Sequence, residues 1–175
     1  MKQLNSKETQ RTAASWLVWL LPVAVLIISP AYLKDDSAIF VRWYLTFFLL
    51  SFAFLPFTAM IFSKNRDRGY IFAKPLAMAL AGSAVWTLSY LHILPFRMIS
   101  IIAVTLAFAA AFFLLRRPRE AFMDAIDNPG TVRLMGFEEG LFAAGMLFWS
   151  FVRGIKPLLD RSEERRVGKE CRSRW

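Results

Sequence analysis

The sequence predicts an all-α membrane protein with about five transmembrane helices and a cytoplasmic amino terminus. Hydrophobic residues make up 57% of the 175 residues, and 17 of them are phenylalanines. The hydrophobic fraction is above that of soluble domains, which are usually about half apolar. The mean hydropathy of +0.42 agrees with this excess. The apolar residues form blocks rather than a stripe of period 3.6, as a helix surrounded by lipid requires. Too little polar sequence remains to cover a soluble core, so we exclude a soluble globular fold.

The charge and the cysteine count exclude two further classes. The net charge is +9, but the basic residues fall between the apolar blocks and not in a patch beside accessible aromatic residues. We therefore expect no nucleic-acid partner, and the lipid bilayer is the expected environment. The single cysteine, Cys171, supports neither a disulfide framework nor a metal site.

Residues 1–13 are polar and are predicted to form a cytoplasmic tail, and a helical membrane domain follows over 14–160. The first helix is predicted over 14–33, with Pro22 and Pro30 inside it. Prolines are tolerated there when neighbouring groups satisfy the freed carbonyls. An alternative is a cleaved signal peptide that ends after Ala31. Both interpretations place the next residues outside the cell.

Four more helices follow, each a separate apolar block. We predict them over 38–62, 72–93, 98–115 and 137–152. Pro75 is expected in the first turn of the third helix, where its missing N–H has no partner to lose. The loop 116–136 is expected to hold a short surface helix that ends near the Asn128-Pro129-Gly130 turn.

The distribution of lysine and arginine predicts the orientation, because cytoplasmic loops are enriched in both. With the amino terminus inside, the outer segments hold five basic residues: Lys34, Arg42, Arg97, Arg153 and Lys156. The inner segments hold eleven: Lys2, Lys7, Arg11, Lys64, Arg66, Arg68, Lys74, Arg116, Arg117, Arg119 and Arg133. The protein is therefore predicted to be a multi-pass protein of the cell membrane with its amino terminus in the cytoplasm.

Several side chains have mainly structural interpretations. Glu138 and Glu139 are predicted in the first turn of the fifth helix, where the helix dipole favours carboxylates. His92 has no partner for catalysis and is expected at the outer interface. The loop 64–68 either binds anionic headgroups or supplies only the positive-inside signal, which is the simpler explanation. Arg42 is the only charge that we place away from a span end.

Two further patterns predict how the helices sit in the membrane. Small residues at four-residue spacing predict close helix packing; they are Ala103, Ala107 and Ala111, with Ala77 and Ala81, and Ala79 and Ser83. Aromatic residues near the predicted span ends are typical of interfacial belts; they are Trp16, Trp19, Trp43, Tyr44 and Tyr90.

The last fifteen residues, 161–175, carry nine charges and the only cysteine. The string resembles the translation, in one frame, of a common short-read sequencing adapter, and we predict that it is not native. The alternative is a basic cytoplasmic tail. On the adapter interpretation the native protein continues past Asp160, and the present chain is an amino-terminal fragment.

Two stretches carry a resemblance to a known family, and the first of them has two parts. The first consists of residues 42–56, which begin Arg-Trp-Tyr-Leu, and residues 67–76, which include the string RGYIFAKPL. The second consists of residues 137–142, which read FEEGLF and lead to Phe151-Val152-Arg153. Together they resemble the start of the "YYY" membrane proteins, domain of unknown function 2298, over about residues 42–158.

The resemblance implies a remote relationship to the GT-C membrane glycosyltransferases, which take sugars from polyprenyl-phosphate donors. In that family the catalytic acidic residue lies in the first large external loop, a segment that this sequence does not reach. The catalytic residues are therefore unknown, and we expect them to be absent from the fragment. We also expect the fragment to contain no cofactor site and no metal site. No nucleotide-binding loop, HExxH or GxSxG motif is present. The alternative is a non-catalytic scaffold or transporter component.

Overall fold

The computed structural model describes residues 15–155, and all regular structure in that range is helical, as predicted. The helices there are α1 (Leu20–Leu33), α2 (Ser37–Ile61), α3 (Tyr70–Tyr90), α4 (Met98–Leu114), α5 (Arg116–Asp127) and α6 (Pro129–Ile155), with a 3-10 turn at Lys34–Asp36. The predicted tail 1–13 and the adapter-like segment 161–175 lie outside the described residues.

Two helical segments are long and apolar enough to cross a membrane, Ser15–Ile61 and Tyr70–Tyr90. A third is added if α4 and α5, which meet at an angle of 81°, form one broken span. This supports a membrane protein. The helix α6 is not among these candidates, and its two adjacent glutamates lower its hydropathy.

The segment Ser15–Ile61 reverses direction at the Lys34–Asp36 turn. The rings of Trp19 and Phe48 are 6.1 Å apart, whereas a straight helix would separate residues so far apart in sequence by roughly 40 Å. Lys34 adopts a positive φ of 48° at the reversal. The helices α1 and α2 are therefore antiparallel neighbours.

Ring contacts give the direction of the remaining helices. Phe62 and Phe72 stack 4.9 Å apart across the α2–α3 turn, and Phe112 of α4 stacks on Phe57 of α2 at 4.8 Å. Tyr32 near the end of α1 meets Phe151 near the end of α6. Within the described range, α1, α2, α3, α4 and α6 thus cross the bundle in alternating directions. We call the end formed by residues 62–69, α5 and the start of α6 the basic end, and the end formed by Lys34–Asp36 and residues 91–97 the far end.

The helix α6 begins at Pro129, eight residues before the predicted start at 137. The Oδ1 atom of Asn128 accepts hydrogen bonds from the backbone N–H groups of Gly130 (2.9 Å) and Thr131 (3.4 Å). Proline is favoured at a first helical position because its missing N–H would be unpaired there. The prediction that Glu138 and Glu139 occupy a first turn is therefore wrong, since both lie well inside the helix.

The other prolines give one correction and one confirmation. Pro75 was predicted in the first turn of α3. Because α3 begins at Tyr70, Pro75 is its sixth residue and lies beyond that turn, so the prediction is wrong. Pro30 cannot donate to the carbonyl of Leu26, and the Ser29 hydroxyl donates to that carbonyl instead, at 2.8 Å. A neighbouring group therefore satisfies the freed carbonyl, as expected for proline in a membrane helix.

One predicted stripe of small residues packs against a neighbouring helix and another does not. Ala77 and Ala81 of α3 are buried, and Ala77 packs in a cluster with Phe54 and Phe112. The stripe predicted to pack α4, by contrast, is exposed along its length; it consists of Ala103, Ala107 and Ala111. The prediction that this stripe packs closely against a neighbouring helix is therefore wrong among the described residues. The helix α4 packs against α2 through its phenylalanines instead.

Candidate functional site

A buried charge cluster joins α3 to α6. The ammonium of Lys74 lies 2.5 Å from Oε2 of Glu139, and the hydroxyl of Tyr70 donates to the same oxygen at 2.7 Å. The side chain of Glu139 is fully buried, and that of Lys74 is 11% exposed. A charge so far from water is tolerated only when it is paired and hydrogen-bonded, and this carboxylate has both kinds of partner.

Helix periodicity brings these groups together. Tyr70 and Lys74 are one turn apart on α3, so both side chains face α6. Phe142 lies three residues after Glu139 on α6, and its ring centroid is 4.3 Å from the Lys74 ammonium. The ammonium also lies 5.1 Å from the Tyr70 ring. A carboxylate and two aromatic rings therefore surround one cation, and cation–π attraction adds to the ion pair.

The cluster extends to α2 and leaves two acceptors unpaired. Tyr44, which is only 3% exposed, lies next to Glu139. The buried atoms Oε1 of Glu139 and Oε2 of Glu138 have no hydrogen-bond partner among the described residues. A buried unpaired acceptor is unfavourable by about 1–3 kcal/mol. The cluster is thus a tight but incompletely satisfied polar site within an apolar bundle.

Tyr44, which was assigned to an interfacial belt, belongs instead to this interior, so that prediction is wrong for it, whereas Trp19 is only partly buried. Tyr44 is buried, and Trp19 donates its Nε1–H to the carbonyl of Val132 at 3.2 Å while its ring meets Tyr70. Trp43 and Tyr90 are exposed, as a belt requires. A polar edge suits tryptophan and tyrosine equally to a lipid headgroup or to a buried acceptor, so the sequence does not separate the two cases.

The basic end holds a second feature, a cavity of about 750 Å³ between residues 63–68 and the starts of α1 and α6. Arg66, Arg68 and Arg133 line it together with the apolar residues Leu21 and Phe137. None of the three arginines has a carboxylate within 4 Å among the described residues. We call this space the basic cavity.

The loop before α3 shapes one side of the basic cavity. Arg68 and Gly69 both have positive φ, of 52° and 73°. A Cβ atom at position 69 would fall 2.6 Å from the Phe62 ring, so only glycine fits this turn without displacement. The two left-handed residues lead the chain from the loop directly into α3 and set Arg68 at the cavity wall.

The remaining sequence candidates lie elsewhere. His92 is exposed beyond the end of α3, at the far end, with a φ of 60°. Asp35 and Asp36 are exposed in the 3-10 turn, also at the far end. Among the described residues, no group of three or more His, Cys, Asp or Glu side chains is arranged to hold a metal ion.

Sequence reasoning missed two signals. The first is the G-x-x-x-G spacing of Gly136 and Gly140, which allows close helix approach: a Cβ atom at position 140 would lie 2.9 Å from Cβ of Leu21 on α1. The second is Lys74, counted above as a cytoplasmic cation although it lies within an apolar helix. An ionisable residue in such a helix is itself a sign of a site.

Comparison of the chain with protein-family models, with curated proteins and with solved structures found no match. The family resemblance therefore depends on the motif residues themselves. Both stretches contribute to the buried cluster: Tyr44, Tyr70 and Lys74 come from the first, and Glu139 and Phe142 come from the second.

Proposed function

We propose that this chain is the amino-terminal membrane module of a GT-C-like, polyprenyl-phosphate-dependent glycosyltransferase. The observation that supports it is the contact between the two motif stretches at Glu139, which belongs to the second. Motifs that are far apart in a sequence have a physical reason to occur together when their side chains contact one another. The buried cluster supplies that reason, because it ties α2, α3 and α6 through one carboxylate.

The cluster itself has a positioning role in this proposal. Glu139 is fully buried, so a sugar donor has no access to its carboxylate. The pair fixes α6 against α3, and α6 then runs to the far end of the bundle. The residues that follow α6 are those that the resemblance associates with an acidic external segment. The catalytic base or metal ligand belongs to that segment, and the present fragment is inactive.

The proposed topology has five membrane spans, with the amino terminus and the basic end in the cytoplasm. Alternating helix directions support the five spans, and the charge distribution supports the orientation. The described far end and its adjoining helix turns hold four basic residues: Lys34, Arg42, Arg97 and Arg153. The basic end holds seven outside the buried cluster: Lys64, Arg66, Arg68, Arg116, Arg117, Arg119 and Arg133.

An activity assay tests the proposal. We expect the 175-residue chain in lipid vesicles to show only background transfer from polyprenyl-phosphate sugars, whereas a chain that continues natively past Asp160 transfers sugar. The physical reason is that Asp35 and Asp36 are exposed in a short turn that cannot enclose a donor. Turnover by the fragment that disappears in the Asp35→Asn/Asp36→Asn variant would place the active site in this turn. No turnover by the extended chain would remove the glycosyltransferase proposal.

A transporter component is the second candidate. The buried pair of Lys74 and Glu139 supports it, although the sequence alone provides no such support. Arg42 is not the only charge away from a helix end, since Lys74 and Glu139 are buried between helices. Buried ionisable residues are typical of ion and proton pathways. Proton uptake by vesicles, followed with an entrapped pH-sensitive dye, separates the two: the transporter predicts flux that Glu139→Gln abolishes, and the enzyme module predicts none in either protein.

A further inference from the structure

The three arginines of the basic cavity form a positively charged cluster with no carboxylate within 4 Å among the described residues. Arg66 and Arg68 come from the loop before α3, and Arg133 comes from the first turns of α6. Asp67, which lies between Arg66 and Arg68 in the sequence, is buried and forms no ion pair with either of them; its carboxylate lies near that of Glu138, and the two repel each other. Three guanidinium groups around one space repel each other unless an anion lies among them.

The arginines of α5 show the contrast. Arg116 donates to Oε1 of Glu120 at 2.7 Å, and both side chains are largely exposed to solvent. That arrangement is an ordinary surface ion pair. The cavity arginines have no such partner among the described residues, and they surround a space instead of lying along an open helix face. Planar guanidinium groups match phosphate oxygens through paired hydrogen bonds.

The start of α6 does not itself provide the anion site. The N–H groups of Gly130 and Thr131 already donate to the side chain of Asn128. Binding of an anion therefore depends on the side chains of Arg66, Arg68 and Arg133, and substitution of these residues is a direct test.

The apolar residues that line the basic cavity indicate which kind of anion fits. Leu21 and Phe137 are 46% and 49% exposed, and Val18 and Leu134 adjoin them. A volume of about 750 Å³ is far larger than a phosphate ion needs and falls in the range of small-molecule sites. A soluble anion would leave the apolar lining residues in water, whereas a lipid covers both the arginines and the apolar residues.

We propose that the basic cavity binds an anionic phospholipid, with its phosphate among Arg66, Arg68 and Arg133 and the start of an acyl chain against Leu21 and Phe137. The inference depends on the proposed membrane insertion of the basic end but not on the glycosyltransferase activity. The cytoplasmic leaflet is the anionic one, which matches the proposed orientation.

Lipid binding by the 175-residue chain in nonionic detergent, measured by native mass spectrometry, tests this inference. The probes are phosphatidylglycerol and, for comparison, phosphatidylcholine. The cavity variant is Arg66→Gln/Arg68→Gln/Arg133→Gln. Its matched control is Arg116→Gln/Arg117→Gln/Arg119→Gln, which removes the same charge from α5 at the same end of the bundle. Circular dichroism shows whether each variant retains its helices.

We expect phosphatidylglycerol to bind more tightly than phosphatidylcholine, and we expect the cavity variant to lose roughly a hundredfold in affinity. The α5 variant should lose less than tenfold. If the cavity variant fails to fold, the exposed single variant Arg133→Gln replaces it, with an expected loss of about fivefold.

Three results would overturn the inference. Equal losses in the two triple variants would mean general attraction to surface charge. Equal binding of the two lipids would mean that the site does not distinguish an anionic headgroup from a zwitterionic one. Competition by glycerol 3-phosphate at the same concentration as the lipid would mean a site for a soluble phosphate ester. These results leave the glycosyltransferase proposal unaffected, because none of them measures sugar transfer.

Discussion

Glu139 shows how one residue changes its meaning with its position in a helix. Placed in a first turn, it is a surface carboxylate that the helix dipole favours. Because α6 begins at Pro129, Glu139 lies well inside the helix, and its side chain is fully buried between helices. A buried carboxylate without a cation would be strongly destabilising. Lys74 and Tyr70 meet that requirement from α3.

The buried pair should be sensitive to loss of either partner. We expect Glu139→Ala to destabilise the protein by about 3–5 kcal/mol, because it leaves the Lys74 ammonium unpaired in an apolar interior. The double variant Lys74→Met/Glu139→Met should be less destabilised than the single variant, because it buries no charge. Thermal and denaturant unfolding in detergent micelles measure both.

The exposed ion pair on α5 is the control for that experiment. Arg116 and Glu120 have the same kinds of charge at a similar distance, 2.7 Å, but are open to solvent. Glu120→Ala should therefore change the stability little. If Glu139→Ala is as mild as Glu120→Ala, the described burial of Glu139 is wrong.

At the level of the helices, the contact of α1 with α6 depends on a glycine face. Gly136 and Gly140 lie against Trp19 and Leu21, so the two helix backbones approach closely. Between these glycines, Glu139 points away from α1 and toward α3. One stretch of α6 therefore serves two neighbours, with its glycines on one side and its carboxylate on the other.

Gly140→Ala should lower the stability, because the added Cβ atom lies 2.9 Å from Cβ of Leu21 and forces the two helices apart. Overpacking of this kind is destabilising by about 1–3 kcal/mol. Gly145→Ala is the control in the same helix, since its Cβ atom meets nothing within 4 Å. Alanine is the better helix former, so this variant should gain about 0.5–1 kcal/mol. Equal stability of the two variants in micelles would contradict the α1–α6 packing.

At the scale of the whole molecule, the two ends of the bundle differ in charge, and this difference predicts the orientation in the membrane. Single cysteines introduced in a Cys171→Ser background report on each end. We expect Ser37→Cys, beside the far-end turn, to react with an impermeant thiol reagent added to intact cells. Ser63→Cys, at the basic end, should react only after the cells are opened.

The reverse labelling pattern would invert the topology. It would also place the end of α6 in the cytoplasm, on the wrong side for an external catalytic segment. Labelling of both positions in intact cells would mean that the five-span arrangement is wrong, because it requires the two ends to lie on opposite sides.

The sequence by itself determined the helical class, the presence of helices apolar enough to cross a membrane, and most helix boundaries to within a few residues. It could do so because blocks of apolar side chains and the polar turns between them are local properties. The start of α6 was the exception. The Asn-Pro-Gly string serves equally as a turn and as a helix start, and only the hydrogen bonds of Asn128 distinguish the two.

Only the tertiary structure decided which polar residues meet. Lys74 and Glu139 are 65 residues apart in the chain, and no local pattern pairs them. Likewise Arg133 joins Arg66 and Arg68 in one cavity although the sequence placed them in separate loops. These contacts depend on the rotation of each helix about its axis. That rotation follows from side-chain packing across the bundle, and the nearly uniform apolar surface of a membrane helix does not encode it.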